Sequence, residues 1–150
     1  VSVAFRRESD EEHKEPRFEL PIPPGPNLVT PRGLSLIQAR VAELEAEDGG
    51  DEAALADRAR DLRYWRQRLA TARPAPPPPE DEVAFGSKVK FRLNKAIQTI
   101  EIVGDDEADP AQGRVSFAAP LARAMIGGGV GDMVEFAGRE DAIEVLAILK

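Results

Sequence analysis

Five prolines in the six residues Pro74–Pro79 divide this chain. Proline lacks an amide donor and has a fixed φ, so neither helix nor central strand runs through such a stretch. It takes a stiff extended form of about 3 Å per residue. With the acids Glu80, Asp81 and Glu82 behind it, the segment 74–82 reads as a linker. A chain of 150 residues has room for one ordinary domain or two small ones, and the linker argues for two parts.

The part before the linker reads as helical. Thr30-Pro31 is a helix start, a hydroxyl to cap the first amides and a proline at the first helical position. Leu34, Ile37, Val41 and Leu44 follow at heptad spacing, and the seam stops at Asp48. Gly49-Gly50 breaks the helix. A second pattern from Asp51 carries Leu55, Leu62, Trp65, Leu69 and Ala72, with Arg58 interrupting the register. So short a break makes the two helices antiparallel neighbours, and residues 28–73 read as a hairpin arm. A hairpin of this size needs a brace at its base, and the aromatics Tyr64 and Trp65 are the expected docking residues. Residues 1–27 read as extended or disordered. Charges dominate to Arg17, prolines stand at 21, 23, 24 and 26, and only Phe18, Leu20 and Ile22 alternate as a short strand would. His13 stands alone and reads as a solvated histidine rather than a metal ligand.

After the linker, apolar residues alternate. Val83–Leu93 reads as a strand with a bulge at Gly86-Ser87, Asn94-Lys95-Ala96 as a tight hairpin, and Ile97–Val103 as its partner. Arg114–Phe117 is a further strand, and Pro120 opens a short helix that buries Leu121, Met125 and Ile126 before glycines 127–129 end it. Met133–Phe136, a turn at 138–141 and a strand Ala142–Leu149 complete residues 83–150. This is an α+β domain of antiparallel strands around one helix.

Composition sets limits on function. Aromatics at 5% within 42% hydrophobic residues make any core aliphatic, and the absence of cysteine excludes disulfides and thiolate metal sites. No apolar run approaches the roughly 20 residues of a membrane span. Val1–Lys14 has no apolar signal-peptide core, so the expected place is the cytoplasm. A net charge of −7 repels duplex DNA, so any contact with nucleic acid is local or delivered by a partner. Charge is uneven along the arm: Glu43–Glu52 holds six acids and no base, whereas Arg58–Arg73 holds six arginines and one acid.

The stretch Gly104-Asp105-Asp106-Glu107-Ala108-Asp109, then Ser116, then Pro120-Leu121-Ala122 and Ile126-Gly127, resembles the C-terminal domain of the Gre family of bacterial transcription cleavage factors. Ala119 stands where the family has serine. The resemblance implies a fold similar to the FK506-binding prolyl isomerases and a role in transcription, with the core RNA polymerase as partner. Nucleic acid would be met only through the polymerase, and the chain would act as a monomer. It places Asp105, Asp106, Glu107, Asp109, Ser116, Pro120, Leu121, Ile126 and Gly127 at the polymerase, at the rim of its secondary channel. The acids among them read as an exposed loop whose removal costs little stability. Without the resemblance, the same acids read as a solvated turn, a protein-contact surface or, less well, a hard-cation loop lacking the spaced ligands of one.

In the Gre family the arm tip carries two acids, in a Gly-Asp-Leu-x-Glu-Asn-Ala-Glu-Tyr motif, that assist the polymerase's own magnesium in cutting backtracked RNA. Here Gly50-Asp51 is kept, Ala54 replaces the next acid, and Asp48, Asp51 and Glu52 are the candidates left. Arg58, Arg63 and Arg66 resemble the family's basic patch near RNA; as plain helix-surface residues they would pair with Asp57 and Asp61. The arm is short, about 25 Å for residues 31–47. In this it is similar to the regulators of nucleoside diphosphate kinase, which bind polymerase without stimulating cleavage. The expected function is therefore elongation regulation without efficient cleavage and with no cofactor of its own. The alternatives are a true cleavage factor with a rearranged acidic tip, and an interaction module for another protein. No catalytic triad, cysteine nucleophile or phosphate loop is present; Gly127–Gly131 lacks the lysine a phosphate loop needs. Isomerase activity would need an aromatic cleft, and Phe85, Phe91, Phe117 and Phe136 read mostly as core.

Overall fold

The computed structural model describes residues 19–150; His13, Phe18 and the charged stretch to Arg17 lie outside the described residues. Residues 19–27 carry no regular element. The two-residue strand β1 (Leu28–Val29) then leads into α1 (Pro31–Ala46) and α2 (Glu52–Thr71). The cap at Thr30 forms as its sequence dictates: the hydroxyl accepts from the Gly33 amide at 2.9 Å and proline follows at the first position. Ile37, Val41 and Leu44 are buried along α1. Gly49 and Gly50 take positive φ, and Asp51 caps α2 by accepting from the Ala54 amide at 2.8 Å. The second seam is looser than its spacing suggests. Leu55 is 41% exposed, Leu62, Trp65 and Leu69 are half-buried, and the one side chain that α2 buries fully is Arg68.

The chain leaves the arm through β2 (Arg73–Pro74), which pairs in parallel with β1. Its first residues are therefore held, the Arg73 amide by the Asn27 carbonyl and the Ala75 amide by that of Val29. The proline run beyond is exposed apart from Ala75 and from Pro78, which lies against Gly86.

Five strands follow: β3 (Lys88–Leu93), β4 (Ala96–Val103), β5 (Arg114–Ser116), β6 (Met133–Phe136) and β7 (Arg139–Leu149), in the order β5-β4-β3-β7-β6. Helix α3 (Pro120–Met125) packs between β5 and β6. Val83, Val89, Phe91, Ile100, Ile102, Ala122, Met125, Ile143 and Val145 form the core, and Phe117 and Phe136 pack against it. Phe85 meets Phe117 edge to face at 5.5 Å, so the aromatics are spent on packing.

Several boundaries differ from those expected. Residues 83–87 form a turn closed by Ser87, whose Oγ accepts from the Ala84 amide, and β3 starts only at Lys88. The sheet is mixed rather than antiparallel, because β5 runs parallel to β4. That is possible because residues 104–113, with two short 3-10 turns, carry the chain back along the sheet. The last turn is Ala137-Gly138, both at positive φ, so β7 begins at Arg139, three residues early; the irregular pairing absorbs Asp141, also at positive φ. Asn94-Lys95 does form the expected tight turn, with both residues at positive φ.

Candidate functional site

The loop Gly104–Glu107 leaves the buried end of β4 and runs directly under the base of the arm. Gly104 itself touches the arm's entry strand: a Cβ here would stand 2.3 Å from the Leu28 carbonyl oxygen. The next three side chains point in three directions. Asp105 turns back into its own domain and accepts from the Ser116 hydroxyl at 2.6 Å. Asp106 accepts from the Tyr64 hydroxyl and, at 2.6 Å, from Arg68 Nε, both on α2. Glu107 accepts from the Thr30 hydroxyl at 2.5 Å and from Arg32 Nε at 2.5 Å, both at the start of α1. Arg32 also reaches Glu101 on β4 at 2.8 Å.

Of the loop acids expected to be exposed, Asp109 is, but Asp106 and Glu107 are not, and this is corrected: the side chains of Arg68 and Asp106 are 2% and 7% exposed, and Glu107 is buried. Carboxylates in an apolar junction persist only when paired and hydrogen-bonded, and each here has a cation and a hydroxyl. Arg68 is further held by Asn27, whose Oδ1 accepts from Arg68 Nη2 at 2.8 Å while its Nδ2 donates to the Arg68 carbonyl at 2.8 Å. The motif thus acts as a clasp between arm and sheet. Tyr64 braces the arm as expected, with Trp65 edge-on to it at 5.0 Å, but the principal brace is Arg68. Arg68, Asn27 and Arg32 were missed, and no local signal marks them. Their partners lie 38 or more positions away in the chain.

Burial and the Asp106 charge together push the Tyr64 phenol well above its ordinary value. Tyr64 is the one tyrosine of the sequence, so an ultraviolet titration of phenolate reads it alone. A raised folded-state value means clasp stability that is intact below the ordinary tyrosine value of about 10 and is lost as pH rises beyond it. Asp106→Ala is expected to move the titration back toward the ordinary range. An unmoved titration would show that the phenol does not feel Asp106.

The remaining expected contact residues divide by exposure. Asp109, Pro120 and Gly127 are exposed, Leu121 is half-buried against the core, and Ser116 is occupied by Asp105. Ile126 was expected to be buried and is 39% exposed, because α3 ends at Met125 and the chain turns away there. Val130 (59%) and Met133 (49%) are exposed after it, apolar residues that strand and turn patterns gave no reason to single out. Ala119, at the cap of α3, makes no side-chain bond to the helix.

On the arm, Asp48, Asp51 and Glu52 lie exposed at the tip, with Asp51 committed to capping. Arg58 donates to the Glu47 carbonyl at 2.6 Å and closes the tip. Arg66 pairs with Glu45 across the hairpin at 2.9 Å, and Arg63 with Glu19 at 2.7 Å, partners other than the expected Asp57 and Asp61. Among the described residues no cluster of acids and histidines could hold a metal ion, and no helix is long and apolar enough to cross a membrane.

Residues 78–150 match the family model described as "Transcription elongation factor, GreA/GreB, C-term". The transcription elongation factor GreA of Sinorhizobium medicae is 44% identical over 71 residues, 45% of this chain and 45% of that protein. GreA of Chelativorans sp. is 47% identical over 57 residues, 37% of this chain and 36% of its own length. This chain therefore spans less than half the length of the curated relatives it matches. The solved GreA/GreB factor of Nitrosomonas europaea is 19% identical with a TM-score of 0.41, over 85% of this chain and 100% of that one. Residues 78–150 of this chain therefore carry a domain of the GreA/GreB C-terminal type.

Proposed function

We propose that this chain is a cytoplasmic regulator of transcript elongation that binds core RNA polymerase at its secondary channel and stimulates little transcript cleavage. The observation that carries the reading is the clasp: the motif typical of the matched domain fixes a two-helix arm to it, so that docking the domain also aims the arm. The weak cleavage follows from the tip. Helix α1 has 16 residues, about 24 Å at 1.5 Å per residue. Asp51 is committed to its cap, and Ala54 stands where the family's second acid would be. Metal-assisted hydrolysis tolerates little misplacement of a carboxylate. The second reading, a cleavage factor with a rearranged tip, has in its favour that Asp48 and Glu52 are free of the cap and exposed.

Because Asp106 and Glu107 are structural, the docking surface is tested with exposed residues. Asp109→Ala combined with Ile126→Ala is expected to weaken capture by core polymerase about tenfold while leaving melting nearly unchanged, as central interface side chains do on truncation. Unaltered capture moves the interface elsewhere, and no capture of the parent protein favours a different partner. On a backtracked complex the parent is expected to cleave little and to compete with an added Gre factor. Robust cleavage, abolished by Asp48→Ala with Glu52→Ala, would establish the second reading instead.

A further inference from the structure

Residues 19–27 do not simply precede the arm; they double back along it. Asn27 is fixed beside Arg68, and Glu19 meets Arg63 one and a half turns nearer the tip. The five helix positions between those anchors cover about 7.5 Å. Eight residues of extended chain reach about three times as far. The segment is therefore bowed. Four of the six residues 21–26 are proline, which stiffens it, and Gly25 at φ +86° supplies its bend. Under the bow lies a cleft of about 580 Å³ lined by Leu20, Ile22, Arg63, Tyr64 and Arg66.

The end of the bow is a two-pronged contact. Arg63 Nε and Nη2 donate to the two oxygens of Glu19, each at 2.7 Å. Arg63 lowers the Glu19 carboxyl from its ordinary value, and the Arg60 charge adds to the effect. A guanidinium offering two parallel donors to two oxygens binds a phosphodiester by the same geometry. Both partners are more than half exposed, at 56% and 60%, so the contact is weak and exchangeable. Opening it leaves the Asn27 anchor intact.

We propose that residues 19–27 are a strap that holds a phosphodiester-binding fork on the arm closed, with the Glu19 carboxylate in the place of a phosphate. Single-stranded nucleic acid displaces Glu19 from Arg63, beside Arg60, whose own guanidinium pairs with Asp61 at 3.0 Å. The strap thereby makes the arm's contact with nucleic acid conditional on a competing ligand at high local concentration. The inference rests on the proposed function only for the identity of that ligand as transcript.

The test uses the full chain and a short fluorescent single-stranded RNA at low salt, read by anisotropy, so that it is independent of polymerase capture. Glu19→Gln is expected to tighten binding about threefold, in the range of an exposed ion pair. Glu140→Gln, the same charge change on the exposed far hairpin, is expected to leave affinity nearly as it was. In an Arg63→Ala background Glu19→Gln is expected to give no gain. Equal tightening by Glu140→Gln would reduce the effect to net charge. A gain that survives Arg63→Ala, or no RNA binding by the Glu19→Gln protein, overturns the strap.

Discussion

Arg68→Ala is expected to destabilise the arm–sheet junction by about 3 kcal/mol or more, a large loss for one surface helix. The side chain it removes is 2% exposed and neutralises a carboxylate that is 7% exposed. With the guanidinium gone, Asp106 keeps only the Tyr64 hydroxyl, and Asn27 Oδ1 loses its donor. An unpaired buried charge is more costly than the pair was favourable, so the companion Asp106→Ala should be similarly harmful. The double replacement Arg68→Met with Asp106→Leu should be milder than the sum of the singles, since neither charge is then stranded. Urea unfolding of the four proteins checks this. Single replacements that cost under about 1 kcal/mol would mean that the pair is solvated in solution and the clasp is loose. The damage should be local: amides of β3 and β7, which line the core around Phe91 and Val145, should keep their hydrogen-exchange protection while those of α1 and α2 lose it.

The arm was legible because its signals are local. Thr30-Pro31, the seam through Leu44, the double glycine and the Asp51 cap each act within a few residues, and Asn94-Lys95 needs only its own backbone. The alternating strands around Phe91 and Ile102 were legible for the same reason. What was not legible depends on distance along the chain. An acidic loop reads as solvated unless its cation is visible, and the partners of Asp106 and Glu107 are a guanidinium 38 positions earlier and a hydroxyl 77 positions earlier. Parallel pairing of β5 with β4 is set by the path of residues 104–113, which periodicity does not report. Ala137 at positive φ has no turn preference to announce it, so the start of β7 was misplaced. The motif from Gly104 was therefore recognisable as a pattern, while its physical work, joining two parts of the molecule, belonged to residues outside the pattern.

Gly104→Ala should separate that joining role from ordinary glycine strain. Gly104 has φ −77°, a conformation alanine adopts freely, so the backbone itself raises no objection. The objection is the Leu28 carbonyl oxygen, 2.3 Å from the added methyl, and a backbone atom cannot rotate out of the way. Either the loop or β1 has to move. β1 is tied to β2, where the chain returns from the arm, so both crossings between arm and sheet would shift together. Overpacking of this kind costs about 1–3 kcal/mol, and it also lifts Asp106 from Tyr64 and Arg68. The control is Gly127→Ala. Gly127 has φ +93° with open space around it, so alanine there incurs about 1–2 kcal/mol of left-handed strain without touching the arm. Thermal melting should fall in both variants. The Tyr64 titration should distinguish them, moving down toward the ordinary tyrosine value in Gly104→Ala and staying at its parental position in Gly127→Ala. A Gly104→Ala protein with parental melting and an unmoved phenol would place the loop further from the arm than the clasp requires.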